Sequence, residues 1–588
     1  MTEQLGRPWA ALMICSVLAL GMTGPAWWAD APSLIGHWDA LDLPGSVWAH
    51  WWVHHALQEG SSPFVDTVSF WPIGLDPVLQ YNLLDALLGT PWIALLGVVD
   101  GYNVATLAAL ISTGMGGYVL GRAVGLTGPS AVFVAVAIQS SSAVALELYE
   151  GRLSQFLLVF LLLALAALAR LLHQDGSWRL AVGLGVSAAA TALVYWYAGL
   201  YFLLAGAALV AFSRARWTRP RMTHLAIAAV TGAVTVMPFV MDLVGQWSTL
   251  PGMGRNLEGI QAATNWVSTK SGVEIATENS RWWLWPILSR ANQEAGHQLS
   301  LVVLALTVVA LRARRPALMG WLAVAGIGWV LALGPFIHGY STTTTVSAPF
   351  GWLQSLSPLF ARMWWPQRFE ILTAIGLAVV AGMGLDRVLK NRKRGGLGWA
   401  LVLVLVVADA PIRSGVLPVR ASEVPEYAAP LYRGLAGPLL TTPLRPSVRV
   451  LNHQRWIQTQ HGQPILNGNG EHIPGHAPAQ WEAWVGQSRL LAALLTLQES
   501  GELEVTIEPN DVDLLIDAGF RYAVADPTVY GDSSGRNWAA THGSVFSALW
   551  GSPLQRHRGG AVWAIEPIAA PVSLSARYLQ RGDRVRGR

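Results

Sequence analysis

Apolar runs of roughly 17–22 residues recur along the chain, and each can cross a hydrocarbon core of about 30 Å as a helix. Only 13% of the 588 residues are charged, against 53% that are hydrophobic. We place the spans at about 8–28, 103–121, 129–147, 153–172, 179–194, 196–213, 224–244, 298–312, 316–337, 369–389 and 397–413. The sequence therefore predicts an α-helical polytopic membrane protein with about eleven transmembrane helices.

The distribution of charge predicts how these helices are oriented. No Lys or Arg occurs between Arg7 and Arg122, whereas later basic residues cluster at 170–179, 214–221, 312–315 and 390–394. Cytoplasmic loops collect Lys and Arg, so each cluster marks the inner side. The N-terminus is then inside, and the outer segments are 29–102, the turn near 147–152, the loops 245–297 and 338–368, and everything beyond 413. In a bacterium, the membrane would be the cytoplasmic (inner) one.

Two segments leave alternatives open. Residues 83–99 are apolar but contain Asp85 and Pro91, and a full crossing there would move every later basic cluster outside. We therefore interpret this segment as an interfacial or re-entrant helix. Residues 8–28 are either an uncleaved anchor or a signal peptide, with small residues near Pro25.

The last part of the chain has a mixed composition, which predicts a soluble α/β domain over 414–588 after a membrane domain over 1–413. Alternation at 447–451 (SVRVL) and 522–525 (YAVA) and the apolar run 561–565 predict strands, while 487–502 and 510–518 are typical of helices. The domain contains no glycine-rich phosphate loop, no cysteine metal motif and no nucleophile elbow in its sequence.

The stretch 37–55 (HWDALDLPGSVWAHWWVHH) is unusual in so apolar a chain. Pro44 is tolerated in the first turn of a helix, which predicts a helix from about Asp42 through His55. We interpret its tryptophans as seating this helix at the membrane surface. Asp42 either caps the helix or takes part in chemistry, whereas Asp39 has no such local structural role.

The order of several short motifs resembles the GT-C superfamily of polyprenyl-phosphate-dependent membrane glycosyltransferases, in its bacterial members. The motifs are 37–42 (HWDALD), 62–64 (SPF), 70–74 (FWPIG), 333–335 (LGP), 365–369 (WPQRF), 378–384 (AVVAGMG), 424–427 (VPEY) and 459–464 (TQHGQP). The resemblance covers most of the chain. It implies a GT-C-like fold and an enzyme that transfers a hexose or pentose from a polyprenyl-phosphate donor to an external glycan, lipid or protein acceptor.

The resemblance also implies roles for acidic residues. An Asp at the start of the first external loop of such enzymes is a catalytic base or metal ligand, a role that falls on Asp39 and then Asp42. The next external turn reads ELYEGR over 147–152 and departs from the usual Asp-x-Asp pattern. If Glu147 and Glu150 approach Asp39 without nearby cations, the carboxylates would favour a divalent cation, Mg²⁺ or Mn²⁺.

Basic and aromatic residues near the outer boundary are candidates for donor binding. Arg362 and Arg368 flank Trp365, and guanidinium groups bind phosphate oxygens bidentately. Arg368 could equally pair with Glu370 or reach lipid headgroups. His54 is a further candidate for substrate binding, although histidines at such positions are more often bystanders at the interface.

Two other classes of function stay open. The predicted spans contain few ionisable residues at mid-depth, which disfavours an ion-coupled carrier. A flippase or export component for lipid-linked glycans would lack chemistry and contain a large polar cavity. A scaffold protein would bind cell-envelope partners through its C-terminal domain. Nothing in the sequence is typical of nucleic-acid binding.

The predicted orientation can be tested by labelling with a membrane-impermeant maleimide. With Cys15, the only cysteine, replaced by Ala, we expect Ser533→Cys to be labelled on intact spheroplasts and Asn391→Cys only after permeabilisation. The opposite pattern would contradict the external placement of the C-terminal domain.

Overall fold

The computed structural model describes residues 6–37, 42–75, 83–173, 176–213, 217–246, 277, 298–312, 317–339, 343–357, 360, 363, 365–390, 395–413, 419, 421–423, 429–444, 448–468, 478–530 and 534–577. The chain forms two compact units. The first comprises Met1–Ser46, Asn82–Thr264 and Ser268–Val424, and the second comprises Val47–Tyr81, Asn265–Val267 and Pro425–Arg588.

The first unit is mainly helical. Its elements are, in chain order, α1 (Pro8–Trp27), β1 (Ser33–Ile35), α2 (Leu43–Gln58, which continues into the second unit), α3 (Leu83–Ala123), α4 (Gly128–Gln139), α5 (Ser142–Tyr149), α6 (Leu153–Phe156), α7 (Val159–His173), α8 (Trp178–Val194), α9 (Trp196–Ala211), α10 (Arg219–Gln246), α11 (Leu301–Leu311), α12 (Leu318–Ala332), β2 (Phe336–His338), β3 (Thr343–Ser347), α13 (Pro349–Leu356), a 3₁₀ turn (Pro366–Phe369), α14 (Glu370–Lys390), α15 (Gly395–Arg413) and β4 (Ala421–Glu423). Strands β1 and β4 pair antiparallel, as do β2 and β3.

The helices confirm the predicted class of fold, a polytopic helical membrane protein. Each of the eleven predicted spans contains an apolar helix in the described residues. Among the residues that the structure describes, five candidates are both long and apolar enough to cross a membrane: Pro8–Trp27, Leu83–Ala123, Leu153–His173, Arg219–Met241 and Pro366–Leu389. Helices α4 and α5 together make a sixth, bent by 40°. The number of helices that cross stays a prediction.

Small residues allow the helices of this unit to approach one another closely, as is common in membranes. A Cβ atom added at Gly121 of α3 would lie 2.8 Å from the Cα of Ala131 in α4, and one at Gly117 would lie 3.0 Å from the Cα of Ala135. Only a residue without a side chain fits such contacts. The α3–α4 pair is therefore set by two glycines one turn apart.

The segment 83–99 is the first part of α3, and it ends in a sharp break. Gly97 has φ 80° and ψ 179°, far from helical values. A Cβ atom at Gly101 would lie 2.6 Å from the Cα of Ile93, so the two parts of α3 fold back on each other. A straight helix would separate residues eight apart by about 12 Å. The predicted separate helix is confirmed, and its interfacial or re-entrant placement stays a prediction.

The second unit contains a mixed sheet with helices around it. Its elements after α2 are α16 (Ala429–Tyr432), β5 (Leu439–Thr441), α17 (Val448–His461), α18 (Ala479–Val485), α19 (Arg489–Ser500), β6 (Glu502–Ile507), α20 (Pro509–Asp517), β7 (Tyr522–Ala525), a 3₁₀ turn (Pro527–Tyr530), α21 (Ser534–Trp550), β8 (Gln555–His557), β9 (Gly560–Ala564) and β10 (Val572–Arg577). The strand order is β5-β7-β9-β8, with β5 and β7 parallel and the other pairs antiparallel. Strands β6 and β10 form a separate antiparallel pair.

The predicted α/β character is confirmed, with one error in detail. Helices α19 and α20 and strands β7 and β9 lie where the sequence pattern predicts them. The strand predicted at 447–451 is wrong, because helix α17 begins at Val448. Five alternating residues are too few to separate strand from helix, and burial on all sides from Val450 to Gln458 removes the one-sided helical pattern.

The tryptophans of α2 correct the interpretation of that helix. The second unit buries Trp48 and Trp52 almost completely, at 0% and 1% exposure, so they do not seat α2 among lipid headgroups. Trp48 Nε1 donates to Gln458 Oε1 at 2.7 Å, and the Arg455 guanidinium lies 4.9 Å from the ring centroid of Trp48. An indole buried with a hydrogen bond and a stacked cation is a core residue, although its sequence context suggests a membrane interface.

The motif 70–74 (FWPIG) also packs within the second unit. The backbone N–H groups of Phe70 and Trp71 donate to the carbonyls of Asn467 and Ile465. The Phe70 ring meets the edge of Trp481 at 5.5 Å, and Trp71 Nε1 donates to the Ala518 carbonyl at 2.7 Å. This part of the first external loop therefore completes the core of the C-terminal unit. The observed unit differs here from the domain boundary predicted at 414.

Replacing Trp48 by Ala should destabilise the second unit by about 3–5 kcal/mol, because it removes a fully buried ring and leaves Gln458 without its indole donor. Thermal unfolding of the purified full-length protein would measure the effect. Leu554→Ala is the control, since Leu554 is 61% exposed in the same unit and should change the melting temperature little. Equal melting temperatures for the two variants would contradict the observed packing.

Candidate functional site

A cluster of charged side chains lies in the first unit at the ends of several helices. Arg152 is at its centre and contacts three carboxylates. Its Nε is paired with Asp42 Oδ2, its Nη1 lies 3.1 Å from Glu147 Oε2, and its Nη2 lies 3.5 Å from Glu150 Oε2. Each of the three guanidinium nitrogens thus faces a different acidic side chain.

Local backbone structure places these residues. Asp42 stands at the N-terminal end of α2, where its carbonyl accepts the N–H of Ser46 at 2.9 Å. Glu147 is in the last turn of α5, and Glu150 ends that helix. Gly151 then reverses the chain with φ 71°, and the Arg152 N–H donates to the Glu147 carbonyl at 2.9 Å. The tight turn brings Arg152 back over the two glutamates.

The start of the first external loop packs directly on this turn. The His37 N–H donates to the Tyr149 carbonyl at 2.7 Å, and the two rings stack at 5.1 Å. Tyr102 donates its hydroxyl proton to the Gly151 carbonyl at 2.8 Å. A Cβ atom at Gly151 would lie 2.6 Å from the Cβ of Leu43, the residue after Asp42. Close backbone packing, and not the ion pairs alone, brings Asp42 to the turn.

Arg368 is the second basic residue of the cluster. It lies in the 3₁₀ turn before α14, and its Nη1 donates to the Tyr195 hydroxyl at 2.8 Å. Its Nε lies 3.7 Å from Glu147 Oε1, and its guanidinium carbon is 5.6 Å from the ring centroid of Trp365. Glu147 is therefore held between two guanidinium groups. Arg368 forms its ion pair with Glu147, whereas the sequence suggested Glu370 as the partner.

Burial and charge act against each other in the cluster. Burial alone would lower the pKa of Arg152, but Asp42, Glu147 and Glu150 more than offset it and hold that pKa well above its ordinary value. Burial raises the pKa of Glu150, which Arg152 opposes and Asp42 and Glu147 reinforce. With three acids and two arginines, the cluster keeps one formal negative charge.

The structure brings together five of the residues proposed from the sequence and leaves others untested. Asp42, Glu147, Glu150, Arg368 and Trp365 share the cluster. The predicted Asp39 and Arg362 lie outside the described residues. His54 belongs to the second unit, where burial lowers its pKa.

Arg152 is the site residue that the sequence analysis missed. It stands two residues after Glu150 in a turn that the distribution of Lys and Arg predicts to be external, where arginine is less common than on the cytoplasmic side. An arginine in that position, two residues after Glu150 and five after Glu147, is the signal that would have identified it. Its presence changes the expected chemistry, because both glutamates have a guanidinium beside them.

Among the residues that the structure describes, no group of three or more His, Cys, Asp or Glu side chains is arranged to hold a metal ion. The carboxylate oxygens of Asp42, Glu147 and Glu150 face Arg152. Such a donor set does not fit a divalent ion, which needs oxygen atoms directed at itself. The predicted ligand Asp39 lies beyond the described part.

A separate small cavity of about 30 Å³ lies between helices of the first unit. Its walls carry Ser140, Ser142, Gln298 and Glu370 together with small apolar residues of α4, α14 and α15. None of the five charged residues described above lines it. The cavity and the charged cluster are distinct features of this unit.

The sequence matches no protein-family model, and no curated protein matches it. Solved structures are similar in fold. The Archaeoglobus fulgidus oligosaccharyltransferase tethered with an acceptor peptide is 11% identical over 91% of this chain and 71% of its own, with TM-score 0.48. The mycobacterial arabinofuranosyltransferase AftD is 16% identical over 94% and 41%, with TM-score 0.48.

ArnT from Cupriavidus metallidurans in the apo state is 14% identical over 95% of this chain and 97% of its own, with TM-score 0.46. At these identities and TM-scores, the similarity concerns the general arrangement of the chain and assigns no reaction to it.

Replacing Gly151 by Ala should separate the turn from Leu43 and destabilise the first unit by about 1–3 kcal/mol, through overpacking and a positive φ. The melting temperature of the detergent-solubilised protein measures this. Gly183→Ala is the control, because a Cβ atom there meets nothing within 4 Å. A Gly151→Ala protein as stable as this control would contradict the close packing.

Proposed function

We propose that the protein is a membrane glycosyltransferase of the GT-C type, which transfers a sugar from a polyprenyl-phosphate donor to an acceptor on the external (periplasmic) face. The observation that supports the proposal best is the cluster of Asp42, Glu147, Glu150, Arg152 and Arg368. It combines carboxylates, which can accept a proton, with guanidinium groups, which can bind phosphate.

In the proposed reaction, an acceptor hydroxyl attacks the anomeric carbon while the bond from that carbon to the phosphate oxygen breaks. A carboxylate takes the hydroxyl proton, and the polyprenyl phosphate departs with the electron pair. Direct attack inverts the anomeric configuration. We assign the base to Asp39, which lies three residues before Asp42 in the sequence, with Asp42 as the second candidate.

Arg368 is the candidate for binding the departing phosphate. In the described residues its guanidinium makes one hydrogen bond, to Tyr195, and a longer approach to Glu147. A guanidinium has five N–H donors, so further donors suit the oxygens of a phosphate. We assign the same role to Arg362 and a place beside the sugar to Trp365. His54 is a further candidate for substrate binding.

The proposed partners are a polyprenyl-phosphate hexose or pentose, membrane lipid, and a glycan, lipid or protein acceptor. The proposed location is a bacterial cytoplasmic membrane, with the N-terminus inside and the C-terminal unit outside. A divalent cation, Mg²⁺ or Mn²⁺, was assigned from the sequence to Asp39, Glu147 and Glu150. Such an ion would have to compete with Arg152 for both glutamates.

Two acids in the helices, the buried Asp386 and the half-buried Asp409, have structural partners, which argues against a carrier. Asp386 Oδ1 accepts hydrogen bonds from the Thr127 hydroxyl at 2.5 Å and the Ser130 hydroxyl at 3.3 Å. Asp409 accepts the N–H of Leu301 at the start of α11. Groups that cap and join helices are poorly suited to relay ions. A flippase is the alternative, and it predicts gradient- or ATP-linked movement of intact lipid.

The transfer reaction tests the proposal. Full-length protein in nanodiscs, given a radiolabelled polyprenyl-phosphate hexose or pentose and a cell-envelope extract as acceptor, should release polyprenyl phosphate. Asp39→Asn should lower kcat about 10²–10⁴-fold, the usual contribution of a general base. Arg368→Gln should weaken donor binding, because the phosphate loses its charged donor.

Glu502→Gln is the matched control, because Glu502 is an exposed acid that pairs only with the exposed Arg577 among the described residues. It should leave turnover unchanged. Full activity of Asp39→Asn would reject the assigned base. Movement of intact lipid without release of polyprenyl phosphate would favour the flippase.

A further inference from the structure

The carboxylates of Asp42, Glu147 and Glu150 surround one guanidinium, that of Arg152. The three nitrogens of Arg152 each face a different carboxylate, at 3.1 Å for Glu147 and 3.5 Å for Glu150, with Asp42 closest. Three neighbouring carboxylates without a cation could turn their oxygens toward a hard divalent ion and become its ligands. Here the positive charge belongs to the chain itself.

We propose that Arg152 is the built-in cation of this cluster and stands where a divalent metal ion would otherwise bind. The guanidinium is charged at every physiological pH and is tethered to the turn, so the carboxylates stay organised without a metal. A metal ion could enter only by displacing the three ion pairs. Arg152 is therefore a positioning residue, because it holds the three carboxylates in place. That these carboxylates take part in catalysis rests on the proposed function.

The charge of the cluster supports the replacement. With Arg152 present, three acids and two arginines carry one formal negative charge. Without Arg152, the acids would share only Arg368, which approaches Glu147 alone at 3.7 Å. Asp42 and Glu150 would then lose the cation that holds them beside Glu147. A divalent ion neutralises such a group of like charges, so removal of Arg152 should create a metal site.

The backbone would keep that site in place. The turn is held by the Tyr102 hydroxyl on the Gly151 carbonyl at 2.8 Å, and by the His37 N–H on the Tyr149 carbonyl at 2.7 Å. None of these groups belongs to the Arg152 side chain. The backbone that carries the three acids therefore keeps its place after the guanidinium is removed, and the side chains can turn toward a metal ion.

The test is binding of Mn²⁺ by the full-length protein in detergent. The electron paramagnetic resonance signal of free Mn²⁺ measures how much ion stays unbound. The wild-type protein should bind no stoichiometric Mn²⁺, and EDTA should not change its melting temperature. Arg152→Ala should bind one equivalent. Arg152→Lys keeps a positive charge in place and should behave as wild type.

Glu147→Gln in the Arg152→Ala background should weaken this binding by at least about 10–100-fold, because that is the usual loss for an outer-shell partner and Glu147 would be a direct ligand. Arg577→Ala is the matched control, because it also removes an arginine from an ion pair, at Glu502, but leaves a single exposed carboxylate. It should gain no Mn²⁺. A merely structural role for Arg152 would alter stability without creating a metal site.

Stoichiometric Mn²⁺ on the wild-type protein that Glu147→Gln removes would overturn the proposal. A folded Arg152→Ala protein that binds no more Mn²⁺ than wild type would overturn it too. If Arg152→Ala does not fold, the wild-type and Arg152→Lys measurements still decide. The Mn²⁺ measurement uses no sugar donor and no acceptor, so its result does not depend on turnover. A failed transfer assay would therefore reject the proposed function and leave this inference standing.

Discussion

The contact between Arg152 and three carboxylates is the interaction on which the candidate site depends. It joins the start of the first external loop to a turn 110 residues further along the chain. Partly buried charges are costly unless each has a partner of opposite sign. The glutamates of the turn and Asp42 are thus compatible with one another only because a guanidinium lies between them. Arg368 extends this balance to the start of α14.

The second unit also contains a buried cation, and an aromatic ring lies beside it. Arg455 is almost fully buried, at 1% exposure, and lies over the ring of Trp48. Gln458, one turn further along α17, accepts the indole N–H. The aromatic residues of α2 therefore serve as core residues of the C-terminal unit. Of the described residues in the predicted external segment 29–102, residues 47–75 belong to that unit, and the others belong to the first unit.

Much of the site could be predicted from the sequence, because charged residues are rare in this chain and the distribution of Lys and Arg predicts which of them are external. Asp42, Glu147, Glu150 and Arg368 were identified in this way. Their partners were not. Arg152 is adjacent to the glutamates in sequence, but whether its side chain turns toward them depends on the positive φ of Gly151 and on the packing of Leu43. The expectation of carboxylates without cations failed for that reason.

By itself, the sequence determined the membrane class, the positions of the apolar helices and the α/β character of the C-terminal unit. These follow from hydrophobicity and periodicity, which are properties of local segments. Only the tertiary structure decided which side chains meet. An indole such as Trp48 is equally suited to a membrane interface and to a protein core, and a carboxylate is equally suited to a metal ion and to a guanidinium. The choice is made by neighbours that lie far away in the sequence, and so no local pattern records it.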